Sequence, residues 1–155
     1  MKILFVCSSN VCRSPYSEFH FRKLMKENGE LSSKVEWCKS GAVFNRSKKL
    51  HSKAKACLME EGFSEELLNT HKPAYIKDER ERFYEADLIV GMTRSHKWFL
   101  PKELRKKYLN LSEAAGDNYK AIPDPFLAPN QKEYNKVMAV ISEYVERFAQ
   151  KLIEE

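Results

Sequence analysis

Cys7 and Arg13 stand at the two ends of CSSNVCR (7–13), between the apolar run KILFV (2–6) and Ser14-Pro15. That spacing suits the chemistry of a phosphate ester. A short loop leading from a strand into a helix N-terminus can turn its backbone N–H groups inward. The helix dipole adds partial positive charge, and the loop becomes an anion cradle. The amides of Ser8, Ser9, Asn10, Val11 and Cys12 would hold phosphate oxygens, and the Arg13 guanidinium would fork two more hydrogen bonds onto them. The Cys7 sulfur would then sit beneath the phosphorus, in a positive field that favours thiolate over thiol. The Ser14 hydroxyl is placed to hydrogen-bond that sulfur and help it leave. Taken alone, Cys7 reads as a buried core cysteine. The context of strand, Cys-x5-Arg-Ser-Pro and helix favours the nucleophile.

Such a loop needs a scaffold, and the rest of the chain supplies its pattern. KILFV is apolar on both faces, as in a parallel sheet. Ser14 offers an N-cap and Pro15 a first helical position. That helix should run to about Asn28, with Phe21, Leu24 and Met25 inward and Gly29 as its stop. VEWC (35–38) reads as a short strand, and Ser40-Gly41 as a turn. A helix spans about Ser52 to Glu61 and a shorter one 79–85. ADLIVGM (86–92) is a buried strand. A basic amphipathic segment follows, broken near Pro101, then the strand YLNL (108–111). Prolines at 123, 125 and 129 mark 116–130 as loop. The last helix, about 131–153, carries Tyr134, Met138, Ile141, Val145, Phe148 and Leu152 on one stripe. Strands alternating with helices predict one α/β domain over 1–155. Its centre would be a four-stranded parallel sheet with helices on both faces, and its phosphate-binding loop would follow the first strand.

Composition narrows the partners. The 155 residues are 43% hydrophobic, enough for one core, with a net charge of +5. The basic residues are spread out, which argues against nucleic acid and for solvated faces that steer an anionic substrate. No apolar run approaches the ~20 residues of a membrane span. The apolar stretch Ile3–Cys7 is too short for a signal-peptide core, so a cytoplasmic protein without a membrane partner is expected. There the four cysteines would be free thiols, and their spacing does not fit a zinc site. No metal or other cofactor is expected. Cys38 and Cys57 read as core.

CSSNVCRSP resembles the Cys-x5-Arg-Ser loop of the low-molecular-weight protein tyrosine phosphatases, which carry it directly after the first strand. SGAV (40–43), NTHKP (69–73), ADLIVGMTRSH (86–96) and IPDPF (122–126) follow in that family's order, so the resemblance covers essentially the whole chain. It implies a metal-independent phosphatase working through a phosphocysteine on Cys7, inhibited by phosphate-like oxyanions, and a monomer or weak dimer. Asp124, clamped by two prolines, would be the general acid and then the base toward water. Asn10 would fix the loop in left-handed geometry, which asparagine tolerates, with Ser40 and His71 as its hydrogen-bond partners. Val11, Phe44 and Phe126 would line the substrate slot. Cys12 would be able to form a disulfide with Cys7 and guard it from irreversible oxidation.

Some residues depart from the commonest family pattern. Ser9 replaces a glycine, Thr93 an aspartate and Phe126 a tyrosine. The last two resemble the bacterial branch that includes protein-arginine phosphatases. That branch has threonine where Val11 stands, and an apolar residue there suits an aromatic ring better than a guanidinium. The expectation is therefore phosphotyrosine as substrate, with phosphoarginine as the alternative. An arsenate reductase would need further cysteines near 76–92, where there are none. A non-catalytic phosphoprotein-binding module would lack Cys7 or Asp124, and both are present.

Overall fold

In the computed structural model, which describes residues 1–155, the hydrophobic pattern of KILFV decides the architecture. Strand β1 (Lys2–Cys7) is buried from Ile3 onward. Side chains alternate across a strand. Ile3, Phe5 and Cys7 therefore face one layer, with Phe21 of helix α1 (Arg13–Glu27) and Phe148 of the C-terminal helix, α8 (Gln131–Glu154). Leu4 and Val6 face the opposite layer, with Phe83, Leu100 and Leu104. The sheet is parallel throughout, in the order β2-β1-β3-β4, with β2 at Trp37–Ala42, β3 at Leu88–Gly91 and β4 at Tyr108–Asn110. The expected four-stranded parallel sheet with helices on both faces is thus what forms.

Helix boundaries differ where local chemistry has a better use. Helix α1 starts at Arg13, not beyond Ser14, and its N-cap Cys12 makes no capping hydrogen bond. The Ser14 hydroxyl is engaged elsewhere, as described below. Gly29 does not stop that helix; Asn28 does. Asn28 adopts extended geometry and its Oδ1 accepts from Glu30 N and Leu31 N, so it caps a second helix, α2 (Gly29–Lys34). Next come α3 (Ser52–Glu60), α4 (Glu65–Leu68) and α5 (Arg80–Glu85). Past β3, α6 (Arg94–Trp98) and a 3₁₀ turn (Lys102–Lys107) divide the basic segment at Pro101. Helix α7 (Leu111–Ala114) follows β4 directly.

The expected turn at Ser40-Gly41 is wrong: both residues lie inside β2. Packing explains it. A Cβ at Gly41 would lie 2.5 Å from Phe83 Cζ, so the strand needs a residue without a side chain there.

Candidate active site

β1 delivers Cys7 to the carboxyl edge of the sheet, and α1 opens at Arg13. The intervening loop turns sharply at Asn10, whose φ of 58° is the only positive value at a non-glycine residue. The surrounding structure holds this geometry by using every polar atom of the Asn10 side chain, together with its carbonyl. Nδ2 donates to Ser14 Oγ (2.8 Å) and Ser40 Oγ (2.9 Å), and Oδ1 accepts from Ala74 N (3.0 Å). The Asn10 carbonyl accepts from His71 Nε2 (2.8 Å). Ser40 Oγ in turn donates to Glu18 (2.5 Å), which is also paired with Arg22. Burial keeps His71 on the neutral side of its ordinary range. Asn10, Ser14, Ser40 and His71 therefore meet as expected. The Asn10 side chain is fully buried and supports the loop from behind; it does not face the cleft.

Cys7 Sγ lies 3.0 Å from Ser14 Oγ in a buried contact. Because Ser14 Oγ already accepts from Asn10, its own hydrogen is available to a Cys7 thiolate. Arg13 is almost fully buried and is aimed by its NH1, which donates to the Ile122 carbonyl (2.9 Å). Its NH2 lies 3.9 Å from Asp124 Oδ2. Asp124 is half-exposed, and its other oxygen accepts from Phe126 N (3.0 Å), which fixes the carboxylate over the cleft. The two prolines and this short turn hold the acid loop.

These groups enclose a cleft of about 320 Å³ lined by Cys7, Ser8, Ser9, Val11, Cys12, Arg13, Asn45, Ser47, Asp124 and Phe126. A cysteine sulfur, a buried guanidinium and a carboxyl group thus line one cleft. No three His, Cys, Asp or Glu side chains converge as metal ligands. Phe44 does not line this space, contrary to expectation. The backbone beyond β2 is pinned to the loop, with Phe44 N and Asn45 N both donating to the Ser8 carbonyl (3.0 and 3.2 Å). The Phe44 ring is turned onto Phe99, at 5.1 Å between centroids, and Asn45 and Ser47 take the cleft positions instead.

Cys12 is buried, and that burial pushes its thiol up to about 12, so it stays protonated beside the cleft. Phe126 leans edge-on against His51 (5.5 Å), which stacks on the buried Tyr134 (5.9 Å). His51, Tyr134, Asn45, Ser47, Glu18 and His96 are neighbours of the cleft, its loop or Phe126 that sequence reasoning did not assign to the site. Two of them had a signal: Glu18 follows Ser14 by one helical turn and so shares its face, and His96 closes the stretch ADLIVGMTRSH (86–96).

The sequence model of the family described as low molecular weight phosphotyrosine protein phosphatase matches residues 2–155. The protein-arginine-phosphatase of Bacillus subtilis (strain 168) is 30% identical over 129 residues, covering 81% of this chain and 80% of that protein. The low molecular weight phosphotyrosine protein phosphatase of Sus scrofa is 31% identical over 94 residues, covering 61% of this chain and 56% of its own. Among solved structures, the YwlE arginine phosphatase, in a mutant with a phosphorylated active-site serine, superimposes with a TM-score of 0.84 at 27% identity, covering 98% of this chain and 95% of that one. The match along nearly the whole chain and the shared fold lead to one conclusion: the chain belongs to the low molecular weight phosphotyrosine protein phosphatase family, whose members are cysteine-dependent phosphatases.

Proposed function

We propose that the protein hydrolyses phosphoarginine in proteins through a phosphocysteine on Cys7. The observation that carries the chemistry is the single cleft shared by Cys7, Arg13 and Asp124, with Ser14 against the sulfur. The phosphorylated side chain enters with its oxygens on the loop amides and Arg13. Cys7 thiolate attacks phosphorus in line, the P–N bond breaks, and Asp124, as the carboxylic acid, protonates the departing guanidine. Asp124, now a carboxylate, takes a proton from water. The resulting attack breaks the P–S bond, releasing phosphate and the thiolate, which Ser14 stabilises. In the mutant YwlE structure a phosphorylated serine occupies the active site, which supports a phosphoenzyme at the equivalent point of this loop.

Phosphoarginine is preferred over the tyrosine ester expected from Val11. A guanidinium needs acceptors, and Val11 offers none. Asn45 and Ser47, which line the same cleft, carry side-chain oxygens that can take that role and leave Asp124 free to act as the acid, with Phe126 as the apolar face for the guanidinium plane. The arginine-phosphatase relatives support this reading. The apolar Val11 still favours phosphotyrosine as the second reading. Paired kinetics on phosphoarginine and phosphotyrosine peptides separate them. The expected outcome is a kcat/KM for phosphoarginine higher by at least about tenfold, a margin of about 1.4 kcal/mol. Val11→Thr should widen it. The reverse preference would make the protein a tyrosine phosphatase.

A further inference from the structure

His96 is as buried as any core residue, yet its ring is aimed at the catalytic loop. It sits on α6, and Nδ1 reaches back to accept from the amides of Met92 (3.1 Å) and Thr93 (3.3 Å). A nitrogen that accepts two amide hydrogens carries none of its own, so the proton is on Nε2. Nε2 lies 3.3 Å from Ser8 Oγ and donates to it. Burial, reinforced by the nearby Arg13 charge, lowers the His96 pKa to about 3, so this donor does not change through the neutral range.

Ser8 is the residue next to Cys7 and lines the cleft. Its carbonyl is occupied by Phe44 N and Asn45 N. Its hydroxyl has no protein partner other than His96. A hydroxyl has one hydrogen, and with Nε2–H on its oxygen that hydrogen must point elsewhere. A phosphate oxygen bound in the cleft that Ser8 lines is able to accept it.

We propose that His96 is a positioning residue: by donating to Ser8 Oγ it directs the Ser8 hydroxyl hydrogen onto a phosphate oxygen, adding a side-chain donor to the amides of the loop. This rests on the phosphatase reading above. It gives the MTRSH segment a role in catalysis from outside the loop, through a residue that never touches the substrate.

The test uses Ser8→Ala, Ser8→Thr, His96→Asn and the double variant Ser8→Ala/His96→Asn, assayed on an aryl phosphate with orthovanadate as the inhibitor. The asparagine substitution keeps an acceptor near the Nδ1 position and removes the Nε2 donor. A hydrogen bond to a charged oxygen predicts a loss in kcat on the order of tenfold to a hundredfold for Ser8→Ala. Vanadate inhibition should weaken in parallel. His96→Asn should match that loss, Ser8→Thr should retain activity, and the double variant should be no worse than either single one. Wild-type kcat and vanadate affinity in Ser8→Ala would overturn the inference, as would losses that multiply in the double variant. If His96→Asn lowers the melting temperature so far that it cannot be assayed, the contrast between Ser8→Ala and Ser8→Thr decides. An inactive wild-type protein would instead overturn the phosphatase reading itself.

Discussion

Asp124 owes its position to its own short turn: one oxygen is held by Phe126 N while the other faces Arg13. Removing the carboxylate leaves the loop amides and the Arg13–Ile122 bond untouched. Asp124→Ala should therefore slow turnover of a phosphopeptide by roughly two or more orders of magnitude, while phosphate or vanadate binding stays near wild type. Steady-state kinetics with competitive inhibition measures both; equal loss of both would assign Asp124 to the framework. At this scale the sequence was most legible where the chemistry is local. Cys7, Arg13 and Ser14 fall within one short stretch, CSSNVCRS, so strand, cradle and helix could be read together. Asn45, Ser47, His51 and His96 were not legible as site residues, because each reaches the cleft or its loop from a distant segment. Val11 shows the consequence: read alone it pointed to phosphotyrosine, whereas Asn45 and Ser47, lining the same cleft, support the phosphoarginine proposal.

The elements that carry the loop are fixed by close approach as much as by periodicity. Gly41 lies under Phe83 of α5, and a Cβ there would also come within 3.2 Å of the Ala74 carbonyl. Ala74 N donates to Asn10 Oδ1, so the same contact braces the catalytic loop. Gly41→Ala should cost about 1–3 kcal/mol by overpacking, read as a lower urea midpoint with unchanged m. Loss of activity should accompany it as Asn10 is displaced. A variant with wild-type stability would mean that Phe83 gives way freely. The same contact explains why Ser40-Gly41 looked like a turn. Serine and glycine have turn propensity, and only the partner across space, 42 residues on, shows that a strand is required. The long stripe of α8 was legible without such help, and the helix runs Gln131–Glu154 against an expectation of 131–153. Phe44 was misassigned for the opposite reason: its type suited a slot wall, but the backbone bonds to Ser8 turn its ring to Phe99.

Across the whole molecule, one edge of a parallel sheet gathers the proposed nucleophile from β1, its loop support from β2 and the loop at 71–74, and the histidine proposed to position Ser8 from beyond β3. The proposed acid, Asp124, comes from the loop before α8. The core is divided by the sheet into two layers, and the cleft lies where β1 leaves it. The net charge of +5 suits an anionic substrate arriving at that edge. The central claim is a covalent phosphoenzyme on Cys7. An aryl phosphate with a good leaving group does not need the acid in the first step, whereas water attack in the second still needs the Asp124 base. Asp124→Ala mixed with such an ester and quenched in acid should therefore accumulate a phosphorylated chain. Peptide mass spectrometry should map the phosphate to Cys7. Phosphate found on another residue, or undiminished turnover by Cys7→Ser, would contradict the account.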